Sequence, residues 1–327
     1  MSFAQYIKQI GHGAEGAGDL SEQEACLLFG AVLDGGVPEL ELGAILLALR
    51  MKSESLDELL GFYNALNDRL FRLHTPTGKA KPVVLPTYSG ARKEPNLLPL
   101  LALLLQRFGV PVLLHGTLNG NGRVASAYIL RELGIMPCAN LAQAQETIDS
   151  DGIVFVPTAV LAPGLAEVLS LRGRLGVRSS AHSIAKLIDP FGGESLRVVS
   201  ASYPPYMEKM RELLLAIGAR ALLLRGTEGE AFANPTRRPQ IVYFNDGASQ
   251  VLFEAEASPS KSAPVLPAGI DAVATASWIR RVLAGEAPVP LPLVNQLACC
   301  LFGAGYTLDL NQAKAIVAVE TGSLAAA

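Results

Sequence analysis

From residue 83 onward, short apolar runs take turns with longer amphipathic stretches, and that alternation leaves few folds open to the chain. Val83-Val84-Leu85 comes first, then a helical pattern over about 96–108, then Val110-Pro111-Val112-Leu113-Leu114 and a helical pattern over about 123–133. Further runs fall at 153–156, 196–200 and 221–224. Each is too short for a helix and lacks polar alternation, which is how a strand buried on both faces reads. The runs at 241–244 and 251–254 flank Asp246-Gly247 and predict a hairpin. Strands interleaved with helices predict a mainly parallel central sheet covered by helices. Helical patterns at about 270–283, 293–302 and 311–319 close the chain.

The first 72 residues lack this alternation and read as helix throughout. Ser21 with Glu24, and Ser55 with Glu58, each form the S-x-x-E capping pattern ahead of an apolar run. Behind the second, Leu56, Leu59, Leu60, Tyr63 and Leu66 share one helical face. Asp34-Gly35-Gly36 ends one helix, and Pro38 suits the start of the next. Residues 74–82, rich in Pro, Thr, Gly and Lys, read as a hinge. The fold class expected is α/β, with a small all-helical domain over 1–72 and a larger α/β domain over 73–327. A returning segment near 163–188, with an apolar helix near 165–175, is expected to join the helical domain.

The chain has 327 residues, half of them hydrophobic and 17% charged, enough to bury a large core. A net charge of −3 excludes a global cationic field, so any hold on nucleic acid must come from local Arg and Lys. Cys26, Cys138, Cys299 and Cys300 form no C-x-x-C pair and no Cys/His cluster, and read as buried reduced thiols. The longest apolar stretch, about 97–105, is too short to span a bilayer and contains Pro99. The N-terminus lacks the apolar core of a signal peptide. These readings predict a cytoplasmic protein with no membrane partner.

In a parallel sheet, ligands gather where strands lead into helices. The loop after the first strand holds Thr87, Tyr88, Ser89, Gly90, Arg92, Lys93 and Asn96. One glycine gives a phosphate little room beside backbone N–H groups, yet Arg92 and Lys93 offer charge to an anion. An ordinary solvated loop with two surface cations fits equally well. The next loop holds His115, Gly116, Asn119, Asn121 and Arg123, a glycine-rich lead into a helix that suits an anion. A histidine at a strand end is more often a hydrogen-bonded structural residue than a catalyst. A third segment carries Arg172, Arg174 and Arg178, then His182, Lys186 and Asp189, either a cationic face or plain surface arginines. The fourth, 225–238, holds Glu228 and Glu230, weak ground by themselves for Mg²⁺. No G-x-S-x-G, H-E-x-x-H or Walker A pattern occurs.

Together these segments resemble the anthranilate phosphoribosyltransferase family over almost the whole chain. The resemblance is carried by 42–52 with Glu54 and Glu58-Leu59-Leu60-Gly61, by Gly109-Val110-Pro111-Val112 before His115-Gly116, by Leu175-Gly176-Val177-Arg178, and by the helices of 272–325. It implies the fold just described. The motifs that bind substrate in the family are rewritten here. Thr87 and Asn96 match the family, but Tyr88 and Ser89 fall at two glycines of its G-T-G-G-D loop and Gly90 at the aspartate. The K-H-G-N-R segment reads Leu114-His115-Gly116-Thr117-Leu118, and the phosphate-binding serines fall at Asn121 and Gly122. The Asp-Glu metal pair falls at Ala231 and Phe232, and the N-x-x-G-P-L-x-N-P segment reads as 182–190. Arg172 matches the arginine that meets anthranilate in the family.

Phosphoribosyl diphosphate reacts as a Mg²⁺ complex, so losing the metal carboxylates removes the ion that neutralises the leaving group. Two side chains at glycine positions further crowd the phosphate. The chain is most similar to the YbiB-type branch of the family, whose Y-S-G-A-R-K loop matches 88–93. That resemblance implies nucleic-acid binding and a homodimer formed through the helical domain. The expectation is a non-catalytic or weakly catalytic protein that grips a phosphate backbone, of single-stranded DNA or RNA, in a cationic cleft. No catalytic residue, metal or cofactor is assigned. A phosphoribosyltransferase with altered ligands is the alternative, and a module for another anionic metabolite or a protein is the third reading.

Overall fold

The two capping boxes open helices, as their spacing requires. In the computed structural model, which describes residues 2–120, 122–258 and 264–322, Ser21 caps Glu22–Leu33 and Ser55 caps Leu56–Asn67. The two helices pack tightly. A Cβ on Gly61 would lie 2.3 Å from the Glu22 carbonyl oxygen, and the Phe29 and Phe62 rings sit 4.7 Å apart. Glu58 is fully buried, yet its carboxylate accepts from the Leu20 and Ser55 amides and from Lys52 Nζ at 3.0, 2.8 and 2.8 Å. A buried charge met on three sides in this way is tolerated. These helices, with Phe3–Ile10 and Glu39–Lys52, belong to a compact helical unit of Met1–Phe71 and Thr158–Pro190. The second stretch supplies Pro163–Ser170 and the short helices Arg172–Leu175 and Ala181–Ile184.

The second unit comprises Arg72–Pro157 and Phe191–Ala327 and holds one seven-stranded sheet. Its strands are β1 (Val83–Thr87), β2 (Val112–Gly116), β3 (Ile153–Pro157), β4 (Leu196–Ala201), β5 (Ala221–Arg225), β6 (Ile241–Asn245) and β7 (Ala248–Phe253). The order is β3-β2-β1-β4-β5-β6-β7. The first five run parallel, and β6 and β7 add an antiparallel hairpin. Every residue of β1 to β4 is buried, which explains their unbroken apolar runs. The hairpin turns at Asp246-Gly247, both at positive φ. β7 begins three residues before its apolar part, because the first four of its six residues are exposed.

Helices Leu98–Arg107, Ala272–Leu283 and Leu291–Gly303 contribute to the apolar core of this unit. Cys299 and Cys300 lie wholly buried in it as free thiols, and burial pushes both well above the usual thiol range. Among the described residues no helix is long and apolar enough to cross a membrane. The strand order reverses between β1 and β4, so the carboxyl ends of β1, β4 and β5 flank the place where open parallel sheets bind ligands.

Candidate functional site

The loops after β1 and β2 are tied together by backbone. Ala91 and Val124 exchange hydrogen bonds at 2.9 and 2.8 Å across an isolated antiparallel bridge. Gly90 has φ +65°, and a Cβ there would stand 2.9 Å from Cβ of Arg123. Both the left-handed backbone and the close approach favour glycine at this position. The bridge places Arg92 and Arg123 beside the joined segments, with Lys93 next in the chain. Arg92 and Lys93 are exposed and Arg123 is half-buried. Among the described residues, none of the three side chains forms an ion pair.

Beneath them the polar residues are spent on one another. Thr87 Oγ1 lies 2.7 Å from Ser126 Oγ, and Asn96 Nδ2 donates to the same Ser126 oxygen at 2.9 Å. Tyr88 Oη sits 2.8 Å from His115 Nδ1, and the two rings meet edge-on. His115 is fully buried, and desolvation lowers its pKa to about 3, so the ring is neutral. Tyr88 is therefore committed to the interior. The helix expected near Arg123 begins at Ser126, runs only to Glu132, and has that buried serine in its first turn. A Cβ on Gly116 would lie 1.8 Å from the Thr87 carbonyl oxygen, so this glycine serves strand packing. Asn119 is exposed in the loop beyond, and Asn121 lies outside the described residues.

The loop after β5 decides the character of the site. Thr227 to Glu230 form a tight turn whose central residues, Glu228 and Gly229, have φ of 51° and 93°. Positive φ at both positions is the signature of a type I′ turn, and it is uncommon for glutamate. The turn aims two carboxylates at the loop after β1. Glu230 Oε1 accepts from the Ser89 and Gly90 amides, each at 2.7 Å. Glu228 accepts from the Arg92 and Lys93 amides through Oε2 and Oε1, at 2.5 and 2.8 Å. Four backbone N–H groups of a strand-to-helix loop, the donors that such loops present to phosphate, are thus filled by the chain's own side chains. Glu230 is fully buried, and its second oxygen has no partner among the described residues. The sequence shows these glutamates but not their role, because their partners lie 135 to 141 residues away. Their occurrence two residues apart in the segment after β5 is the signal the sequence offers.

Arg172 and Arg178 belong to the helical unit, half-buried around Arg172–Leu175. There they act on His182, whose pKa falls to about 3 through desolvation first and then through the Arg178, Arg172 and Lys186 charges.

Comparison with known proteins places this arrangement. The helical bundle domain of a glycosyl transferase family matches residues 4–69. Anthranilate phosphoribosyltransferase of Anaeromyxobacter dehalogenans (strain 2CP-1 / ATCC BAA-258) is 29% identical over 316 residues, 93% of this chain and 91% of that protein. YbiB of Escherichia coli (strain K12) is 43% identical over 318 residues, 97% of this chain and 99% of that protein. The chain belongs to the family that holds YbiB and the anthranilate phosphoribosyltransferases. Of the family's solved structures, the anthranilate phosphoribosyltransferase of Thermus thermophilus matches with a TM-score of 0.77 at 25% identity, over 97% of this chain and 94% of that one. The Saccharomyces cerevisiae enzyme in complex with PRPP and Mg shares the fold, with a TM-score of 0.71 at 14% identity over 98% and 93% of the two chains.

The positions that the sequence resemblance matches to a metal pair carry no carboxylate here. Ala231 and Phe232, at the metal-pair positions of the resemblance, are buried in the apolar core. The neighbouring acids, Glu228 and Glu230, are committed to backbone amides. Among the described residues no group of three His, Cys, Asp or Glu side chains is placed to hold a metal ion.

Proposed function

We propose that the chain is a non-catalytic or weakly catalytic member of its family that binds the phosphate backbone of single-stranded nucleic acid. The observation that carries this reading is the filled cradle. Glu228 and Glu230 occupy the four backbone donors and bring negative charge to them, so a diphosphate would have to displace two carboxylates before binding. Cations remain on the outer side of the same loops. Arg92, Lys93 and Arg123 are drawn together by the Ala91–Val124 bridge, and they give a polyanion point contacts at the surface. Thr87, Ser89, Asn96 and His115, buried beneath, shape the loops rather than reach the ligand.

The test is affinity for a single-stranded oligonucleotide across a salt series. Because Glu228 binds the amides of Arg92 and Lys93, truncating both side chains leaves that scaffold in place. The double change Arg92→Ala and Lys93→Ala is expected to weaken binding to all sequences alike. It should flatten the log–log salt slope by roughly 1–2 units per protomer, at about 0.7–0.9 per phosphate contact. Unchanged affinity and slope would remove this loop from the interface. The names of the phosphoribosyltransferase relatives support the second reading, a transferase with altered ligands. Mg²⁺-dependent release of diphosphate at about 1 per second or faster would establish it over the first.

The reading includes a second copy of the chain on the helical unit. Leu40, Leu47 and Met51 of Glu39–Lys52 are 83%, 47% and 75% exposed and recur at helical spacing, an apolar stripe suited to a two-fold partner. Sedimentation equilibrium is expected to give the mass of a dimer, and a monomer mass would remove this part of the proposal.

A further inference from the structure

A cleft of about 720 Å³ lies at the carboxyl ends of β1, β4 and β5, against the hairpin side of the sheet. It takes Lys93 from the loop after β1, Ser202 from the end of β4, and Arg225 from the end of β5. Arg237 and Arg238 close it from the following loop. Its position at the reversal of strand order is where open parallel sheets receive ligands. None of its lining belongs to the helical unit.

The charge in this cleft is distributed in a particular way. Arg225 is exposed, and among the described residues its side chain forms no ion pair or hydrogen bond; the same holds for Lys93. Arg237 is held by the carbonyls of Glu256 and Ala257 at 2.8 and 3.0 Å, and Arg238 by the carbonyl of Glu254 at 3.2 Å. Neutral acceptors alone fix the Arg237 guanidinium, whereas Arg238 also pairs with the Glu256 carboxylate at 3.9 Å. Of the two carboxylates in the lining, Glu228 is engaged by backbone amides and Glu94 is half-buried. The cations outnumber them.

The cleft is far larger than a bare phosphate needs and falls within the range that holds whole small molecules. Met207, Pro239 and Ala255 give it an apolar wall, and Thr236 and Gln240 add hydrogen-bonding groups. Tyr203, 62% exposed, follows Ser202 directly, with its ring 6.3 Å from that of Tyr206. A ligand matching this lining carries an anionic group at one end and a flat, partly apolar body at the other. We infer that the cleft is a nucleotide site, with Arg225 and Lys93 taking the phosphate and the wall beside Met207 taking the base. The occupant is a nucleoside monophosphate, either free or as one unit of a bound strand. The strand form rests on the proposed nucleic-acid function, and the free form does not.

The experiment is calorimetric titration of the full chain with thymidine 5′-monophosphate, with inorganic phosphate and with a short deoxythymidine oligonucleotide. Arg225→Gln and Arg225→Lys are compared with wild type, and thermal unfolding confirms that each variant folds. Wild type is expected to bind the mononucleotide with a Kd of about 1 mM or tighter. Arg225→Gln should weaken it about tenfold, and Arg225→Lys should restore most of the loss. Mononucleotide binding lost in Arg225→Gln without oligonucleotide binding by wild type would uphold this site and sink the proposed function. Oligonucleotide and mononucleotide binding both unaffected by Arg225→Gln would leave the proposed function standing and overturn this site. Phosphate binding as tight as the mononucleotide, or no mononucleotide binding at all, would also overturn it.

Discussion

Replacing Glu230 by alanine is expected to destabilise the α/β unit by about 2–6 kcal/mol, since two buried amides would each lose their acceptor at roughly 1–3 kcal/mol. The amides are those of Ser89 and Gly90, and both residues are buried. Water has poor access to them, so the loss is not replaced. Glu230→Gln keeps an acceptor but forfeits the charge, and should cost about 1–2 kcal/mol. Trp278, the only tryptophan of the chain, is buried in the core of this unit, and its fluorescence reports this unit's unfolding. A second signature separates anion mimicry from plain packing. If Glu230 stands where an oxyanion would, millimolar phosphate should stabilise Glu230→Ala and leave wild type unchanged, by binding the vacated donors only in the folded state. A denaturant midpoint for Glu230→Ala equal to that of wild type would show that the two hydrogen bonds contribute nothing. A midpoint insensitive to phosphate would show that the cradle does not select anions.

How much of this could be read from the chain follows from where each signal lies. β1 to β4 are legible because a parallel strand covered on both faces has no reason to carry polar residues, and 83–87, 112–116, 153–157 and 196–201 are buried throughout. The start of β7 is not, because Ala248, Ser249 and Gln250 face solvent on an edge strand. Helices Leu141–Asp151 and Pro204–Ala216 bury only two and three residues each, so their apolar stripes are thin against a polar exterior. The capping boxes are local chemistry, four residues long, and both appear as written.

The site divides in the same way. That the loops after β1 and β2 should meet follows from adjacent parallel strands, and β1 and β2 do pair. What fills the loop does not follow, because the acceptors arrive from the turn after β5. Tyr88 and Ser89, at glycine positions of the resemblance, and Glu228 and Glu230 are separate features in the sequence. In the fold they meet, because the two glutamates brace the amides of Ser89, Gly90, Arg92 and Lys93 from within. Arg225, Arg237 and Arg238 stand apart in the sequence, and only the fold brings them to line one cleft.

Acidification below neutrality is expected to destabilise both units well before the carboxylates titrate. His115 and His182 each have a pKa near 3 in the folded chain, against 6.5 for an unperturbed ring. Desolvation is the leading cause for both, and the Arg178, Arg172 and Lys186 charges add to it at His182. Because the folded-state values are depressed, the unfolded chain takes up a proton at each ring as pH falls through 6.5, while the folded chain stays neutral. Stability is therefore full above about pH 6.5 and declines toward pH 3, by about 1.4 kcal/mol per pH unit for each ring once well below 6.5. At pH 5 the loss from His115 alone should be about 2 kcal/mol in the α/β unit. The carboxylates held low by their partners, among them Glu24, Asp34, Glu39 and Glu194, act in the same direction but only below their ordinary range near 4. The window from about pH 5 to 7 thus isolates the histidines. Denaturant titrations followed by Trp278 fluorescence should slope downward with acid in wild type and lose most of that slope in His115→Gln, whose amide does not protonate there. A wild-type stability flat from about pH 7 to 5 would mean that the His115 ring is protonated or solvated in the folded chain, and that the Tyr88–His115 pair is not closed to water.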